Sequence, residues 1–150
     1  MSSPLNCLVT GASGYIGGRL VPELLSAGYA VRCMARDPAK LSDRPWSDDV
    51  EIAVADVTDQ SAVRRALEGI DVAYYLIHSL GTDASFERRD RTAAQTFAAA
   101  AKAAGVQRIV YLGGIISGQA GTLSPHLRSA RRSVTSCWPA VYRSPRCRPR

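Results

Sequence analysis

The chain has 150 residues, of which 46% are hydrophobic, and it carries 4 cysteines and a formal net charge of +6. This length suits a single domain. No apolar run approaches the ~20 residues of a membrane-spanning helix, and the first residues lack the basic and apolar segments of a signal peptide. We therefore expect a cytoplasmic protein with no membrane partner.

The positive charge is concentrated at the end of the chain. Residues 1–127 contain 12 basic and 13 acidic side chains, whereas residues 128–150 contain 7 arginines and no acidic residue. A nearly neutral domain provides no basic patch, so nucleic-acid binding is expected only if the tail mediates it.

The first predicted elements are an apolar strand over residues 5–10 and a helix over residues 15–27, joined by the sequence TGASGYIG. The helix is indicated by apolar residues that recur four positions apart. A glycine-rich turn between a strand and a helix is the context in which phosphate-binding turns occur. An ordinary strand-turn-helix is the alternative.

The three glycines of this turn have distinct expected roles. Gly11 permits the tight turn, Gly14 lets the backbone approach a pyrophosphate, and Gly17 lets the helix pack closely on the strand. Free N–H groups and the dipole at the helix start favour a bound anion. The turn therefore predicts a dinucleotide site, in which we also place Thr10, Ser13, Tyr15 and Ile16.

A second strand is predicted over residues 30–35, and Arg36 follows it, 19 residues after Gly17. NAD-binding turns usually have an acidic residue about 20 positions on, which accepts hydrogen bonds from the ribose hydroxyls. Arg36, with Lys40 one helical turn beyond, favours a ribose 2′-phosphate instead. We therefore expect NADP(H) in preference to NAD(H). Two alternatives remain: a solvated Arg36, and an Asp37 that pairs with it or accepts a ribose hydroxyl.

Strand and helix patterns continue to alternate after a loop that contains Pro38, Pro45 and Trp46. They predict strands over residues 50–55, 72–77 and 108–112, and helices over residues 59–68 and 86–104. Near-continuous apolar strands are typical of a parallel sheet covered on both faces. Right-handed crossovers then give a doubly wound α/β fold with strand order 3-2-1-4-5. Cys7 and Cys33 fall in central strands, where buried thiols are expected rather than a disulfide or a metal site.

Further site residues are expected where the third and fourth strands end, because ligands bind at the carboxyl ends of such strands. Asp56 is placed to accept from an adenine amino group while the backbone N–H of Val57 donates to the ring. A helix-start role beside Thr58 and Asp59 is the alternative for Asp56. The backbone at Ile77 and His78 is expected to run under the adenosine, although a hydrogen-bonded loop histidine is the alternative for His78.

Five segments in chain order carry a family resemblance: TGASGYIG, MARDPAKL, VADVTD, YYLIHSLG and AGVQRIVYLGGI. They resemble the atypical short-chain dehydrogenase/reductases, and in particular the NmrA-like NAD(P)H-binding proteins, over about residues 5–127. The resemblance implies a Rossmann domain of a reductase- or epimerase-like protein. It also implies that NADP(H) or NAD(H) binds through Gly11, Gly14, Gly17, Arg36 and Asp56.

The catalytic residues of that superfamily have no clear counterpart. Active members carry a serine after the fifth strand and a Tyr-x-x-x-Lys pair on the next helix. Here Gly113 and Gly114 follow the fifth strand, and Tyr142 has Arg146 four positions on. Pro145 would break the helix that aligns such a pair. Catalytic residues therefore stay unassigned, and a dinucleotide-dependent redox sensor acting on a protein partner is the alternative to an oxidoreductase.

Residues 128–150 are rich in Arg, Ser, Pro and Cys and contain no lysine or acid. This composition is typical of a GC-rich gene read out of frame. We therefore expect residues 1–127 to form a Rossmann domain truncated after its fifth strand. A genuine disordered basic tail that binds nucleic acid or an acidic partner is the alternative.

Overall fold

The computed structural model describes residues 4–77 and 84–112, with side chains from Arg88 onward in the second range. The strands are β1 (Asn6–Thr10), β2 (Ala30–Ala35), β3 (Glu51–Val54), β4 (Val72–Tyr75) and β5 (Arg108–Tyr111). They form one parallel sheet in the order β3-β2-β1-β4-β5. This order confirms the predicted doubly wound fold.

The helices of the described part are α1 (Tyr15–Ser26), α2 (Ala39–Ser42), α3 (Gln60–Ala66) and α4 (Ala84–Ala103). The three longer ones agree with the predicted helices to within two residues at each end. The prediction of an irregular loop between β2 and β3 is wrong in part, because α2 and a 3-10 turn at Ser47–Asp49 form there. Leu41 and Trp46 are buried and hold this segment against the core. Within the described ranges, no helix combines the length and apolar character needed to cross a bilayer.

Separate apolar clusters cover the two faces of the sheet. Leu8 belongs to the cluster that includes residues of α3 and α4, around the fully buried Phe97. Cys7 and Val9 belong to the cluster that includes α1 and Trp46. Since side chains alternate between faces along a strand, a strand buried on both faces must be apolar at every position, which accounts for the unbroken apolar runs.

The two thiols of the central strands are buried and free, as predicted. Burial raises the pKa of the Cys33 thiol to about 12. Burial also raises the pKa of the Cys7 thiol, with a smaller contribution from the charge of Asp71. Both groups stay protonated at neutral pH and act as small apolar side chains.

Asp71 aligns the amino ends of three neighbouring strands. Its Oδ2 accepts from the backbone N–H of Asn6 at 2.8 Å, and its Oδ1 accepts from Nε2 of Gln107 at 3.0 Å. Its backbone carbonyl also accepts from the amides of Gln107 and Arg108. The starts of β1, β4 and β5 are thus joined through one residue, at the edge of the sheet opposite the site described below.

Thr10 joins β1 to β4 at the opposite side of the sheet, where the carboxyl ends of the strands lie. Its side chain is completely buried. The hydroxyl donates to the carbonyl of Tyr74 at 3.1 Å and accepts from the backbone N–H of Leu76 at 3.0 Å. The prediction that the fourth strand extends to residue 77 is wrong, because β1 turns away after Thr10 and the Leu76 amide bonds to a side chain instead of a neighbouring strand.

We expect Thr10→Val to lower the free energy of unfolding by about 2 kcal/mol, because it leaves the Tyr74 carbonyl and the Leu76 amide without their partner. Thr10→Ser retains the hydroxyl and is the control, with an expected loss of at most about 1 kcal/mol for the missing methyl group. Urea denaturation of both variants measures the difference. A valine variant as stable as the serine variant would contradict this role of the hydroxyl.

Candidate functional site

A cavity of about 600 Å³ opens where the carboxyl ends of the central strands meet the glycine-rich turn. Each of the loops after β1, β2, β3 and β4 contributes to its wall, and α4 closes one side. The lining residues are Gly11, Ala12, Ser13, Gly14, Met34, Ala35, Arg36, Asp37, Lys40, Ala55, Asp56, Val57, Thr58, Leu76, Ile77, Arg89, Asp90 and Ala93. This volume lies within the range of small-molecule and cofactor sites.

The glycine-rich turn is tightly folded. Gly11 has φ +70°, and a Cβ there would lie 3.3 Å from the Leu76 carbonyl oxygen. The amide of Gly14 donates to the carbonyl of Gly11 at 3.0 Å. A side chain at Gly11 would therefore be strained in conformation and crowded by the end of β4.

Gly17 is the point of closest approach between α1 and this turn. A Cβ at Gly17 would lie 2.8 Å from both the Ala12 Cα and the Gly11 carbonyl carbon, a separation that real side chains do not adopt. A Cβ at the next residue, Gly18, would have its nearest neighbour at 3.4 Å, the Arg44 side chain. Close packing thus requires glycine at position 17 but not at position 18.

The loop after β2 brings two cations to the cavity, Arg36 and Lys40. Asp37 lies between them, and its Oδ1 accepts from the backbone N–H of Ala39 at 3.1 Å, at the start of α2. One carboxylate oxygen of Asp37 is therefore bonded to the local backbone. Arg36 also acts on Asp56, which follows the neighbouring strand β3: hydrogen bonds from Thr58 lower the pKa of Asp56 most, and the charge of Arg36 lowers it further.

Asp56 begins the loop after β3 and forms a compact turn with Thr58. Its Oδ1 accepts from the Thr58 backbone N–H at 2.8 Å and from the Thr58 hydroxyl at 2.6 Å. These two bonds, the hydroxyl first, hold the pKa of Asp56 below its ordinary value, and the charge of Arg36 contributes further. Asp56 is therefore an ionised side chain at the cavity wall.

The helix-start role that we gave as the alternative for Asp56 belongs instead to Asp59. The Asp59 carboxylate accepts from the backbone N–H groups of Ser61 and Ala62 at 2.9 and 3.0 Å, at the start of α3. Asp56 lies three residues earlier, and its backbone carbonyl accepts from the amide of Asp59 at 3.0 Å. The two acids thus have separate positions, one capping the helix and one lining the cavity.

The structure brings most of the predicted site residues together. Eight of them line the cavity: Gly11, Ser13, Gly14, Arg36, Lys40, Asp56, Val57 and Ile77. Gly17 lies behind the turn, and the Thr10 hydroxyl is bonded to β4. The side chains of Tyr15 and Ile16 are 76% and 47% exposed, with the Arg19 guanidinium 4.7 Å from the centre of the Tyr15 ring. His78 lies outside the described residues.

Several neighbours of the cavity were not predicted from the sequence. Thr58 is one, although its position two residues after an aspartate is typical of an Asx-turn. Arg89 and Asp90 of α4 also line the wall, and a long helix gives no sign in sequence of which charged side chains face a ligand. Arg44 contacts the turn from behind, since its Nη2 donates to the Ser13 carbonyl at 2.6 Å.

The chain belongs to the NAD(P)H-binding family, whose model matches residues 11–136. The relatives and structural neighbours include reductases, dehydrogenases and epimerases of the short-chain dehydrogenase type, which confirms the resemblance drawn from the sequence. The family's nicotinamide dinucleotide agrees with the cavity, whose wall combines the glycine-rich turn with the cations Arg36 and Lys40.

Among characterised proteins, the chain is 33% identical over 114 residues to a 3 beta-hydroxysteroid dehydrogenase/Delta 5→4-isomerase from Mycobacterium tuberculosis. The match covers 69% of this chain and 30% of the relative. The chain therefore spans about a third of the length of the curated relatives it matches.

Solved structures show the same fold. A dTDP-glucose 4,6-dehydratase from Streptomyces venezuelae with NAD and TYD bound is 25% identical with a TM-score of 0.67, over 86% of this chain and 49% of that one. A triphenylmethane reductase from Citrobacter sp. complexed with NADP(H) is 20% identical with a TM-score of 0.71, over 86% and 44%.

Gly17→Ala should lower the free energy of unfolding by about 1–3 kcal/mol, because the new methyl group overlaps the backbone of the turn. Gly18→Ala is the matched control for stability: the nearest neighbour of a Cβ there would lie at 3.4 Å, and alanine favours a helix over glycine by up to about 1 kcal/mol. Chemical denaturation is measured for both. Equal behaviour of the two variants would contradict the close approach at Gly17.

The carboxylate of Asp56 should titrate below the ordinary pKa of an aspartate, and Thr58→Val should raise its pKa by removing the hydroxyl bond that contributes most. Since the pKa is lowered in the folded state, the associated stabilisation is present at neutral pH and is lost as the pH falls through the folded-state value. Carboxyl NMR measures the titration, and Asp59 is the internal control. An unchanged pKa of Asp56 in Thr58→Val would contradict this assignment.

Proposed function

We propose that the cavity binds NADP(H) in preference to NAD(H) and that the protein is an oxidoreductase of the reductase- and epimerase-like class. The observation that carries the proposal is the position of Arg36. It follows β2, lines the same cavity as the glycine-rich turn, and occupies the place at which an acidic residue would bind a ribose 2′-hydroxyl.

The diphosphate is assigned to the turn between β1 and α1. Gly11 and Gly14 both line the cavity, and their lack of side chains lets the backbone of the turn approach the phosphates. The amides at the start of α1 have no helical partners, and together with the helix dipole they favour an anion. Ser13 lines the cavity beside them and supplies a further hydrogen-bond donor.

The ribose 2′-phosphate is assigned to Arg36 and Lys40. A guanidinium binds phosphate through two parallel hydrogen bonds, and an ammonium adds a second charge. Asp37 competes little for these cations, because one of its oxygens is bonded to the Ala39 amide. We assign the preference for NADP(H) to these two cations, since the nearby carboxylates of Asp37 and Asp56 already accept hydrogen bonds within the protein.

The adenine is assigned to the loop after β3, with Ile77 below it. The Asp56 oxygen not bonded to Thr58 is available to accept from the exocyclic amino group, and the Val57 amide to donate to the ring. The bonds from Thr58 keep the carboxylate ionised and fixed in place. Adenine recognition therefore uses a preorganised acceptor.

The bound dinucleotide would supply or accept a hydride in exchange with a substrate carbonyl or alcohol. This reaction class is taken from the curated relatives, which include a 3 beta-hydroxysteroid dehydrogenase and a dihydroflavonol 4-reductase. The chain's own contribution, on the residues described, is to bind the cofactor and orient it along the carboxyl edge of the sheet. A panel of carbonyl and quinone substrates with NADPH tests for turnover.

Arg36→Asp should reverse the cofactor preference. We expect the Kd of NADPH to rise about tenfold to hundredfold, because charge-assisted bonds to the 2′-phosphate are replaced by repulsion, whereas NADH gains a ribose acceptor. Nicotinamide fluorescence titrations measure both constants. The control is Arg64→Gln, which removes one positive charge from an exposed position on α3. Equal affinities of the unaltered protein for the two cofactors would contradict the assignment of Arg36.

A further inference from the structure

We propose that Arg44 is a positioning residue for the glycine-rich turn and that it raises the affinity for the diphosphate of the cofactor. This inference rests on the proposed function. Arg44 does not line the cavity. It reaches the turn from behind, from the segment that follows α2, and its role is to fix the peptide plane through which the turn presents its amides.

The contact of Arg44 acts on one peptide unit. Its Nη2 donates to the Ser13 carbonyl at 2.6 Å, while the amide of the same peptide, that of Gly14, donates to the Gly11 carbonyl at 3.0 Å. Because a peptide is planar, bonds at both ends fix its orientation. The directions of the neighbouring N–H groups then depend on this one plane.

The segment that carries Arg44 is itself held firmly against α1. Pro22 lies inside α1 and has no N–H, so the carbonyl of Gly18, four residues earlier, has no helical donor. The indole Nε1 of Trp46 donates to that carbonyl at 3.3 Å, and Trp46 is only 6% exposed. The docking of Trp46 on α1 therefore fixes the backbone two residues from Arg44.

Backbone bonds immobilise Arg44 on both sides. Its amide donates to the carbonyl of Leu41 at 3.1 Å, and its carbonyl accepts from the amide of Ser47 at 3.0 Å. Leu41 is completely buried. The backbone that carries the guanidinium is thus already ordered, which limits the backbone entropy lost when the bond to Ser13 forms.

The charge of Arg44 opposes the dipole of α1, because helix dipoles disfavour cations at the helix start. Arg44 lies beside the first turn of α1, and that turn contains no acidic residue. A bound diphosphate would be attracted to the same charge. The charge of Arg44 therefore favours an anion, while its hydrogen bond to Ser13 holds the turn.

The test compares Arg44→Met with Arg44→Lys, which keeps the charge and one donor, and with Arg64→Met on α3 as a matched loss of charge. Four quantities are measured: the Kd of NADPH, the Kd of NADH, the affinity of adenosine 2′-monophosphate, which has no diphosphate, and amide exchange at Gly14. Arg44→Met should raise both dinucleotide constants about tenfold without changing their ratio. It should leave adenosine 2′-monophosphate binding unchanged and speed exchange at Gly14.

Arg44→Lys should recover most of the dinucleotide affinity, and Arg64→Met should resemble the unaltered protein. An unchanged Kd in Arg44→Met, or an equal loss for adenosine 2′-monophosphate, would overturn the proposal and leave the proposed function intact. If the unaltered chain binds neither dinucleotide, the proposed function fails. In that case unchanged exchange at Gly14 in Arg44→Met overturns the positioning role as well, whereas faster exchange supports it.

Discussion

The close approach of α1 to the glycine-rich turn is the constraint on which the rest of the site depends. At Gly17 the helix lies so near the backbone of Gly11 and Ala12 that no side chain fits between them. This contact directs the start of α1, with its unpaired amides, at the carboxyl edge of the sheet. If the helix were displaced, the amides would no longer converge on the cavity, and Val21 and Leu24 would lose their packing against β1 and β2.

Two departures from regular secondary structure are compensated across the same helix. Pro22 removes a helical hydrogen bond, and Trp46 satisfies the carbonyl that is left. Gly18 in the helix interior lowers helix propensity, and the space beside it is occupied by the guanidinium of Arg44. Both compensations come from the segment after α2. The chain that follows β2 therefore has two roles: it carries Arg36 into the cavity, and it supports the turn that follows β1.

The order of the strands and the turn between β1 and α1 were predictable because they depend on local patterns: unbroken apolar runs, helical spacing and glycines at fixed positions. The residues missed depend on contacts distant in sequence. Nothing near Trp46 indicates that its partner is Gly18, 28 positions away, and a sequence does not show whether Asp56 or Asp59 caps α3. The predicted fourth strand ends two residues beyond β4 for the same reason. The Leu76 amide donates to the hydroxyl of Thr10, 66 residues earlier in the sequence, instead of to a neighbouring strand.

Two acidic residues of the cavity, Asp37 and Asp56, lie near the cations that we assign to the 2′-phosphate. Asp37 and Asp56 each give one oxygen to the protein's own polar groups, the amide of Ala39 and the amide and hydroxyl of Thr58. Hydrogen bonds of this kind spread the negative charge over the local backbone and hold the side chain in one orientation. Arg36 lies within electrostatic reach of Asp56, so each charge moderates the other, and among the described residues no salt bridge joins these two side chains. A phosphate entering beside Arg36 and Lys40 then meets donors that need little rearrangement. This is the physical basis of the preorganised polar site in the proposed function.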